Sequence, residues 1–215
     1  MTEPSHDLVT AETRAWVRRA VIGLNLCPFA RGVEVKDQIR YVVTDAADVE
    51  TLLATLCVEL QRLADTDPSL VETTLLIHPR VLADFQDFND FLELADAAVE
   101  DLGFAGVLQV ASFHPGFQFA DTAPADVTNA TNRAPYPTLH LLREEAIDRA
   151  VAAFPEAESI YEVNMATLEK LGREGWSRLQ ASWEADARAE LAQGDGRAAS
   201  NDGPGGPARD EPARD

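Results

Sequence analysis

Basic side chains are scarce in this sequence of 215 residues. Only 18 lysines and arginines stand against 37 aspartates and glutamates, which gives a formal net charge of -19 at pH 7. A surface of that sign repels phosphate backbones and anionic lipid headgroups. The composition therefore predicts neither nucleic acid nor a membrane surface as a partner.

Cysteines and long apolar runs are also scarce. The two cysteines, Cys27 and Cys57, are too few for a disulfide framework or a zinc knuckle made of cysteines. No window approaches the roughly 18 apolar residues of a membrane span. The first residues are polar and do not form a basic start followed by an apolar stretch, so no leader peptide is expected. We therefore expect a cytoplasmic protein.

Several catalytic motifs are missing. The sequence has no glycine-rich phosphate loop, no GxSxG elbow and no HExxH helix. Their absence removes the commonest nucleotide-dependent, serine-hydrolase and zinc-protease interpretations. The cofactor, if the protein uses one, stays unassigned.

What is present is a clear alternation of helical and strand-like segments in a chain that is 46% hydrophobic. Three apolar, β-rich runs end at the intervals of successive strand-helix-strand units, which predicts three parallel strands. The strands are expected at residues 39–45, 73–78 and 107–113, with a fourth at 138–142. Prolines before the fourth strand favour an edge position for it.

Helical spacing of apolar residues marks the remaining segments. It predicts helices at residues 7–24, 49–63, 81–102, 144–154, 155–171 and 176–191. The predicted fold is α/β: a small, largely parallel sheet of three strands plus an edge strand, packed by helices, with a helical C-terminal extension. We expect one domain over residues 1–192, and a disordered tail rich in glycine and proline over 193–215.

Two of the predicted strands run into a His-Pro dipeptide. His78 and His114 should therefore lie at the same end of parallel strands, where ligands of open α/β sheets usually bind. Imidazole can act as a general acid, a general base or a metal ligand near neutral pH. The alternative is that each histidine is a polar residue leaving the sheet, hydrogen-bonded to a neighbouring loop.

The segment after His114 has the composition of an anion-binding loop. Asn129 and Asn132 offer amide donors, and Arg133 offers a planar fork for a carboxylate or phosphate. Prolines on both sides stiffen Tyr136, which reduces the entropy lost on binding. The alternative is that Arg133 pairs with one of the many acidic groups while the asparagines satisfy turn backbone.

Three further side chains are candidates. Gln118 lies between two phenylalanines of the same loop and can donate a hydrogen bond to a ligand. His140 alternates with leucines in the fourth strand, which also fits the polar face of an edge strand. Cys27 follows the first helix, where a thiolate is disfavoured, so it is either a buried cysteine or the partner of His114 in a Cys-His dyad.

A metal site is a weaker alternative. His78 and His114 with a carboxylate from Asp45 or Asp121 would suit iron or zinc, but none of these residues has a diagnostic spacing. Asp45 is also explained as the N-cap of the second helix. No metal is therefore predicted.

Five segments resemble one bacterial family, the domain of unknown function 1415. They read GLNLCPFA, LLIHP, DFNDFL, ASFHPGFQFA and NATNRAPYPTLHLLRE, and the resemblance covers about residues 7–172. It implies a small bacterial protein with these domain limits. It assigns no activity and no catalytic residue.

Two functions are consistent with the sequence. The first is an enzyme for transfer or hydrolysis that acts on a small anionic metabolite, with Arg133 and the asparagines binding the anion and His114 as acid or base, assisted by His78, Tyr136 or Cys27. The second is a non-catalytic protein that binds a metabolite or assembles through an exposed surface such as Trp176 and Trp183. The sequence does not indicate the oligomeric state.

Overall fold

The computed structural model describes residues 3–153 and 159–199. The strands are β1 (Ile39–Val43), β2 (Thr73–Ile77), β3 (Leu108–Phe113) and β4 (Thr138–Arg143). The helices are α1 (His6–Trp16), continued by a π-helical segment (Val17–Ile22), then α2 (Ala30–Val35), α3 (Val49–Asp65), α4 (Phe85–Asp101), α5 (Glu144–Ala153) and α6 (Ile160–Ala199), with a 3-10 segment (Val127–Asn132) before β4.

Aspartate caps fix the starts of the two crossover helices. Asp48 accepts the backbone N–H of Thr51 at 2.7 Å at the start of α3, and Asp84 accepts that of Gln86 at 2.8 Å at the start of α4. The prediction that Asp45 caps α3 is wrong. Its carboxylate instead lies 2.9 Å from the imidazole of His6, because the chain stays extended until Asp48.

The sheet has four strands in the order β1-β2-β4-β3. β1 pairs in parallel with β2, whereas β4 pairs antiparallel with both β2 and β3. β1, β2 and β3 therefore run in the same direction, as the sequence predicts, but the sheet is mixed. The prediction of a largely parallel sheet is wrong because a reversed strand separates β2 from β3.

The expected edge position of β4 is also wrong. Leu139 and Leu141 are fully buried, as is Thr138 on the opposite face, so this strand is covered on both sides. Its prolines do not interfere, because Pro137 stands just before the strand and its carbonyl accepts the N–H of His78 at 3.0 Å.

Helices cover both faces of the sheet. On one face α3 and α4 pack over Leu76, Leu139 and Leu141, and form one apolar core. Both crossovers place their helix on this face, as two right-handed connections in the same direction must. On the other face α1 and α6 pack over Leu75 and Ile77 and form a second core.

The C-terminal extension is helical, as predicted. α6 contains one break at Gly172, whose φ of 69° and ψ of 169° are not helical. Beyond the break, Trp176 and Trp183 pack edge to face with ring centroids 5.4 Å apart and are 7% and 3% exposed. The suggestion that these two rings form an exposed contact surface is therefore wrong.

The predicted tail falls largely outside the described residues. α6 continues to Ala199 and so enters the segment 193–215. Among residues 3–153 and 159–199, no helix is long and apolar enough to cross a membrane.

Candidate functional site

The two His-Pro histidines meet at one end of the sheet. The imidazoles of His78 and His114 lie against Phe88 of α4, with ring centroids 5.6 and 5.0 Å from that of the phenylalanine. This is the shared end that the sequence predicts for them.

Both imidazoles are nevertheless enclosed. His114 is 2% exposed; its Nε2 lies 3.1 Å from the carbonyl oxygen of Leu82, and its Nδ1 accepts the N–H of Gly116 at 2.9 Å. Since Nδ1 accepts a hydrogen bond from a backbone N–H, Nε2 carries the ring proton and donates a hydrogen bond to the carbonyl of Leu82. Burial lowers the pKa of His114, which favours the neutral ring. Both nitrogens of that ring are engaged by the backbone.

His78 is more deeply buried. It is 0% exposed, its Nδ1 lies 3.0 Å from the carbonyl oxygen of Val81, and burial lowers its pKa to about 4. Within the described part of the chain its Nε2 has no hydrogen-bond partner. Neither histidine presents a nitrogen to the surface, which favours the interpretation of both as core residues.

The amides of the long β3–β4 loop bond mainly within the loop. Asn129, 0% exposed, accepts the N–H of Phe119 at 3.0 Å and the hydroxyl of Thr122 at 2.7 Å, and donates to the carbonyl of Ala123 at 3.0 Å. Gln118 donates to the carbonyl of Thr122 at 2.5 Å. These contacts hold the loop in shape and leave little of the Asn129 amide for a ligand.

The remaining two polar candidates of the loop point elsewhere. Asn132 donates to the carbonyl of Ser112 at 3.3 Å, which ties the loop to β3. Tyr136 donates its hydroxyl proton to Glu12 of α1 at 2.6 Å. Burial and the adjacent carboxylate raise the pKa of Tyr136 well above its usual range, so the phenol stays protonated.

Arg133 does not pair with a carboxylate of the described chain. Its Nε and Nη2 donate to the carbonyls of Phe117 at 3.0 Å and Pro124 at 2.7 Å. No acidic group of residues 3–153 or 159–199 forms an ion pair with it. The pairing offered as the alternative to ligand binding is therefore not seen in this part of the molecule.

A cavity of about 400 Å³ lies on the face of the sheet opposite α3 and α4, and we call it the sheet cavity. Its floor is the face of all four strands that points away from α3 and α4: Ile39, Thr73, Leu75, Gln109, Ala111, Phe113, His140 and Leu142. Its walls come from α1 and the π-helical segment, from α2 and the turn before it, and from α5: Trp16, Val17, Val21, Cys27, Phe29, Ala30, Val33, Ala146, Ile147 and Ala150.

His140 is the titratable group in the floor. Thr73 Oγ1 lies 2.6 Å from the carbonyl oxygen of Leu141 and 2.8 Å from His140 Nε2. Since a hydroxyl has one proton and a carbonyl only accepts, Thr73 donates to Leu141 and accepts from His140. Nε2 therefore carries the ring proton. Burial lowers the pKa of His140 to about 4, which leaves Nδ1 as a lone-pair acceptor at neutral pH.

Cys27 lines the sheet cavity too. His114 lies on the opposite face of the sheet against Phe88, so the Cys27–His114 dyad, the alternative to a buried cysteine, does not form. The thiol precedes α2, and although the N–H groups of Phe29 and Ala30 favour a thiolate, burial has the larger effect and raises the pKa of Cys27. Cys27 is thus a protonated thiol in an apolar wall.

The metal site considered as an alternative is not assembled in the described part of the chain. Within residues 3–153 and 159–199, His78 and His114 form no group with a third histidine, cysteine or carboxylate that could hold a metal ion. Asp45 is engaged with His6 and Arg80.

The sequence profile of the family described as "Protein of unknown function (DUF1415)" matches residues 8–178. The chain belongs to this family. The matched region of this DUF1415 protein contains the whole sheet, the sheet cavity and the β3–β4 loop. No curated protein and no solved structure matches the chain.

Sequence reasoning did not find most of the sheet cavity of this DUF1415 protein. The rule that ligands bind at the carboxyl ends of parallel strands points to the His78 end, whereas the floor includes Ile39, Thr73 and Gln109, which begin or nearly begin their strands. A usable signal was present, however. Ala111, Ala146 and Ala150 are small residues on inward-facing positions, and His140 lies between leucines in a strand that the structure buries.

Proposed function

We propose that the protein binds a small molecule with a mainly apolar body and one hydroxyl or N–H donor in the sheet cavity. This is the non-catalytic alternative inferred from the sequence, with the binding site in the sheet cavity instead of the β3–β4 loop. The single observation that supports it best is a cavity of about 400 Å³ bounded almost entirely by apolar side chains. Pockets for small molecules commonly measure about 300–1,000 Å³ and have this kind of lining.

The polar group in the floor of the cavity determines which ligands it can bind. No described residue donates a hydrogen bond to His140 Nδ1, and His140 keeps part of its surface accessible although it lies in the middle of the sheet. The Nδ1 of a neutral imidazole in that position accepts a hydrogen bond but repels no anion and attracts no cation. The ligand therefore needs a donor at one end and no charge there.

The rim of the cavity is polar. Glu72 accepts a hydrogen bond from Arg149 of α5 at 2.7 Å, and Gln109 beside it is exposed. This rim faces water and suits the entry of a molecule whose outer end is solvated. The inner wall offers dispersion contacts to Trp16, Phe29 and Phe113.

The test uses 1-octanol and its isomer heptyl methyl ether, a pair of equal size in which only the alcohol has a hydroxyl donor. Isothermal titration calorimetry should show that the wild-type protein binds the alcohol about tenfold more tightly, as expected for one hydrogen bond in an apolar site. His140→Phe should bind both compounds with similar affinity, since it keeps the ring volume and loses the acceptor. Ala111→Leu should weaken binding of both, because the larger side chain fills the floor opposite His140.

The control is Val110→Leu, a smaller enlargement on the other face of β3. It should leave the affinity for 1-octanol unchanged. Equal effects of Val110→Leu and Ala111→Leu, or an unaltered alcohol preference in His140→Phe, would contradict the proposal.

Catalysis by the predicted acid-base residues receives no support from their surroundings, since His78 and His114 are enclosed. The anion-binding part of the enzyme hypothesis has one specific observation in its favour, which is that Arg133 forms no ion pair with any acidic group of residues 3–153 and 159–199. The cytoplasmic location and bacterial origin stay predictions.

A further inference from the structure

A second, smaller cavity of about 180 Å³ lies between α1, the end of the β3–β4 loop and the second half of α6. We call it the Arg133 cleft. Arg133 and Tyr136 line it from the loop, Glu12 from α1, and Gln180 and Glu184 from α6. It shares no lining residue with the sheet cavity.

Arg133 supplies a positive charge of fixed orientation. Two of its nitrogens are held by the carbonyls of Phe117 and Pro124, which leaves the Nη1 donors without a partner among the residues the structure describes. Burial lowers the pKa of Arg133, with an opposing effect from Asp126, so the cation has lost part of its hydration. A guanidinium in this state gains from a carboxylate placed against its remaining donors.

Glu12 supplies a negative charge in the same cleft. Its carboxylate accepts the Tyr136 hydroxyl at 2.6 Å, and no lysine, arginine or histidine of the described chain pairs with it. Glu184 lies close enough to Tyr136 to raise the pKa of the phenol, but it is paired with Arg188 at 3.4 Å. Glu12 is therefore the carboxylate that can still receive a cation.

The apolar part of the cleft lining is rigid. Trp176 and Trp183 line it, both are buried, and they pack edge to face. Pro135 stiffens the loop side. The volume of the cleft suits a molecule the size of an amino acid and is too small for a nucleotide.

We propose that the Arg133 cleft binds a small zwitterion, a free amino acid, with its carboxylate on Arg133 and its ammonium group on Glu12. An anion alone would leave Glu12 unpaired beside it, and an amine alone would leave Arg133 unpaired. A zwitterion satisfies both groups at once without changing the net charge of the site. This site is separate from the sheet cavity and does not depend on it.

The test is calorimetric titration of the intact protein with the free α-amino acids, followed by the N-acetyl and amide derivatives of the tightest one. N-acetylation removes the cation, and amidation removes the anion. Each derivative should bind at least about tenfold more weakly than the parent, since each loses a charge-assisted hydrogen bond. The indole N–H resonances of Trp176 and Trp183 should shift on binding of the parent.

Two variants separate recognition from folding. Glu12→Gln keeps an acceptor for Tyr136 but removes the charge, and should weaken amino-acid binding about tenfold while abolishing the advantage over the N-acetyl derivative. Arg133→Lys keeps the charge but not the fork, and should weaken binding as well. Glu93→Gln, an exposed acid on α4, is the matched control and should bind normally.

Three outcomes would overturn the inference. One is the absence of binding by any amino acid up to about 10 mM, a limit that corresponds to very weak affinity. Another is equal binding of the parent and its N-acetyl derivative. The third is that Ala111→Leu loses amino-acid binding while Glu12→Gln binds as tightly as the wild-type protein, which would place the ligand in the sheet cavity.

Discussion

Asn129 and Asn132 carry the same side chain, belong to the same loop and make different contacts. Asn129 is 0% exposed and its side chain makes three hydrogen bonds within the loop, whereas the side chain of Asn132 makes one of 3.3 Å to Ser112 among the described residues. The sequence places both in an anion-binding group. The structure distinguishes them by how many polar groups would lose a hydrogen-bond partner if each side chain were replaced by alanine.

Asn129→Ala should lower the free energy of unfolding by about 2–4 kcal/mol, because a buried N–H and a hydroxyl lose their acceptor at once. Asn132→Ala, the matched control, should cost about 1 kcal/mol or less, since it loses a single long bond. Urea unfolding measures both values, and amide hydrogen exchange should show lost protection around Phe119 in the first variant only. Similar costs for the two variants would mean that Asn129 does not organise the loop.

At the scale of elements, the break in α6 depends on one residue. Gly172 has a φ of 69° and a ψ of 169°, a combination that is essentially restricted to glycine. An added Cβ would meet nothing within 4 Å, so the restriction comes from the backbone alone. The break lets Leu168 before it and Trp176 after it pack into the same core.

Gly172→Ala should therefore lower the free energy of unfolding by about 1–3 kcal/mol through backbone strain, with no steric clash. The control is Gly32→Ala in α2, where an added Cβ also has open space and φ is not positive. That change should be neutral or stabilise by up to about 1 kcal/mol, because alanine favours a helix. Thermal unfolding of both variants gives the comparison, and a destabilisation shared by the two would argue against the backbone explanation.

Elements were predictable where the cause is local. The apolar stripes of α3 and α4 and the runs of β1, β2 and β3 are properties of a few consecutive residues. The position of β4 in the sheet is not a local property, because a strand preceded by prolines can be central or at an edge, depending on which strands pair with it. Here pairing with both β2 and β3 buries Leu139 and Leu141.

The candidate sites were predictable to the same extent. The shared end of His78 and His114 follows from strand direction, and the structure confirms it. Whether their nitrogens reach solvent depends on the backbone after each strand, where Leu82 and Gly116 occupy both nitrogens of His114. The sheet cavity arises where small residues from β3 and α5 face each other, a coincidence of distant segments that periodicity cannot show.

At the scale of the whole molecule, the net charge of -19 and the buried histidines respond to acid in opposite ways. Protonation of carboxylates relieves repulsion between acidic groups, but most carboxylates titrate near about pH 4. His78 and His140 have pKa values of about 4 in the folded protein and 6.5 when free. Between about pH 6.5 and 5 the histidines therefore control the response.

In that window the unfolded chain binds more protons than the folded one, so the free energy of unfolding should fall as the pH falls. The expected slope approaches about 1.4 kcal/mol per pH unit for each of the two histidines. The contribution of these histidines to the free energy of unfolding is fully present above pH 6.5 and is lost progressively toward pH 4.

Urea unfolding at a series of pH values measures this slope. His78 and His114, whose pKa values are also lowered by burial, keep their contributions in His140→Phe, so this variant should reduce the slope by the contribution of one histidine, at most about 1.4 kcal/mol per pH unit. His140→Phe also keeps the volume of the ring in the floor of the sheet cavity. A packing defect would change the free energy of unfolding by the same amount at every pH, so it is separable from an effect on the slope. A stability that stays level or rises between pH 6.5 and 5 in the wild-type protein would show that these imidazoles are hydrated in the folded state, and that the floor of the cavity is more open to water than its apolar lining indicates.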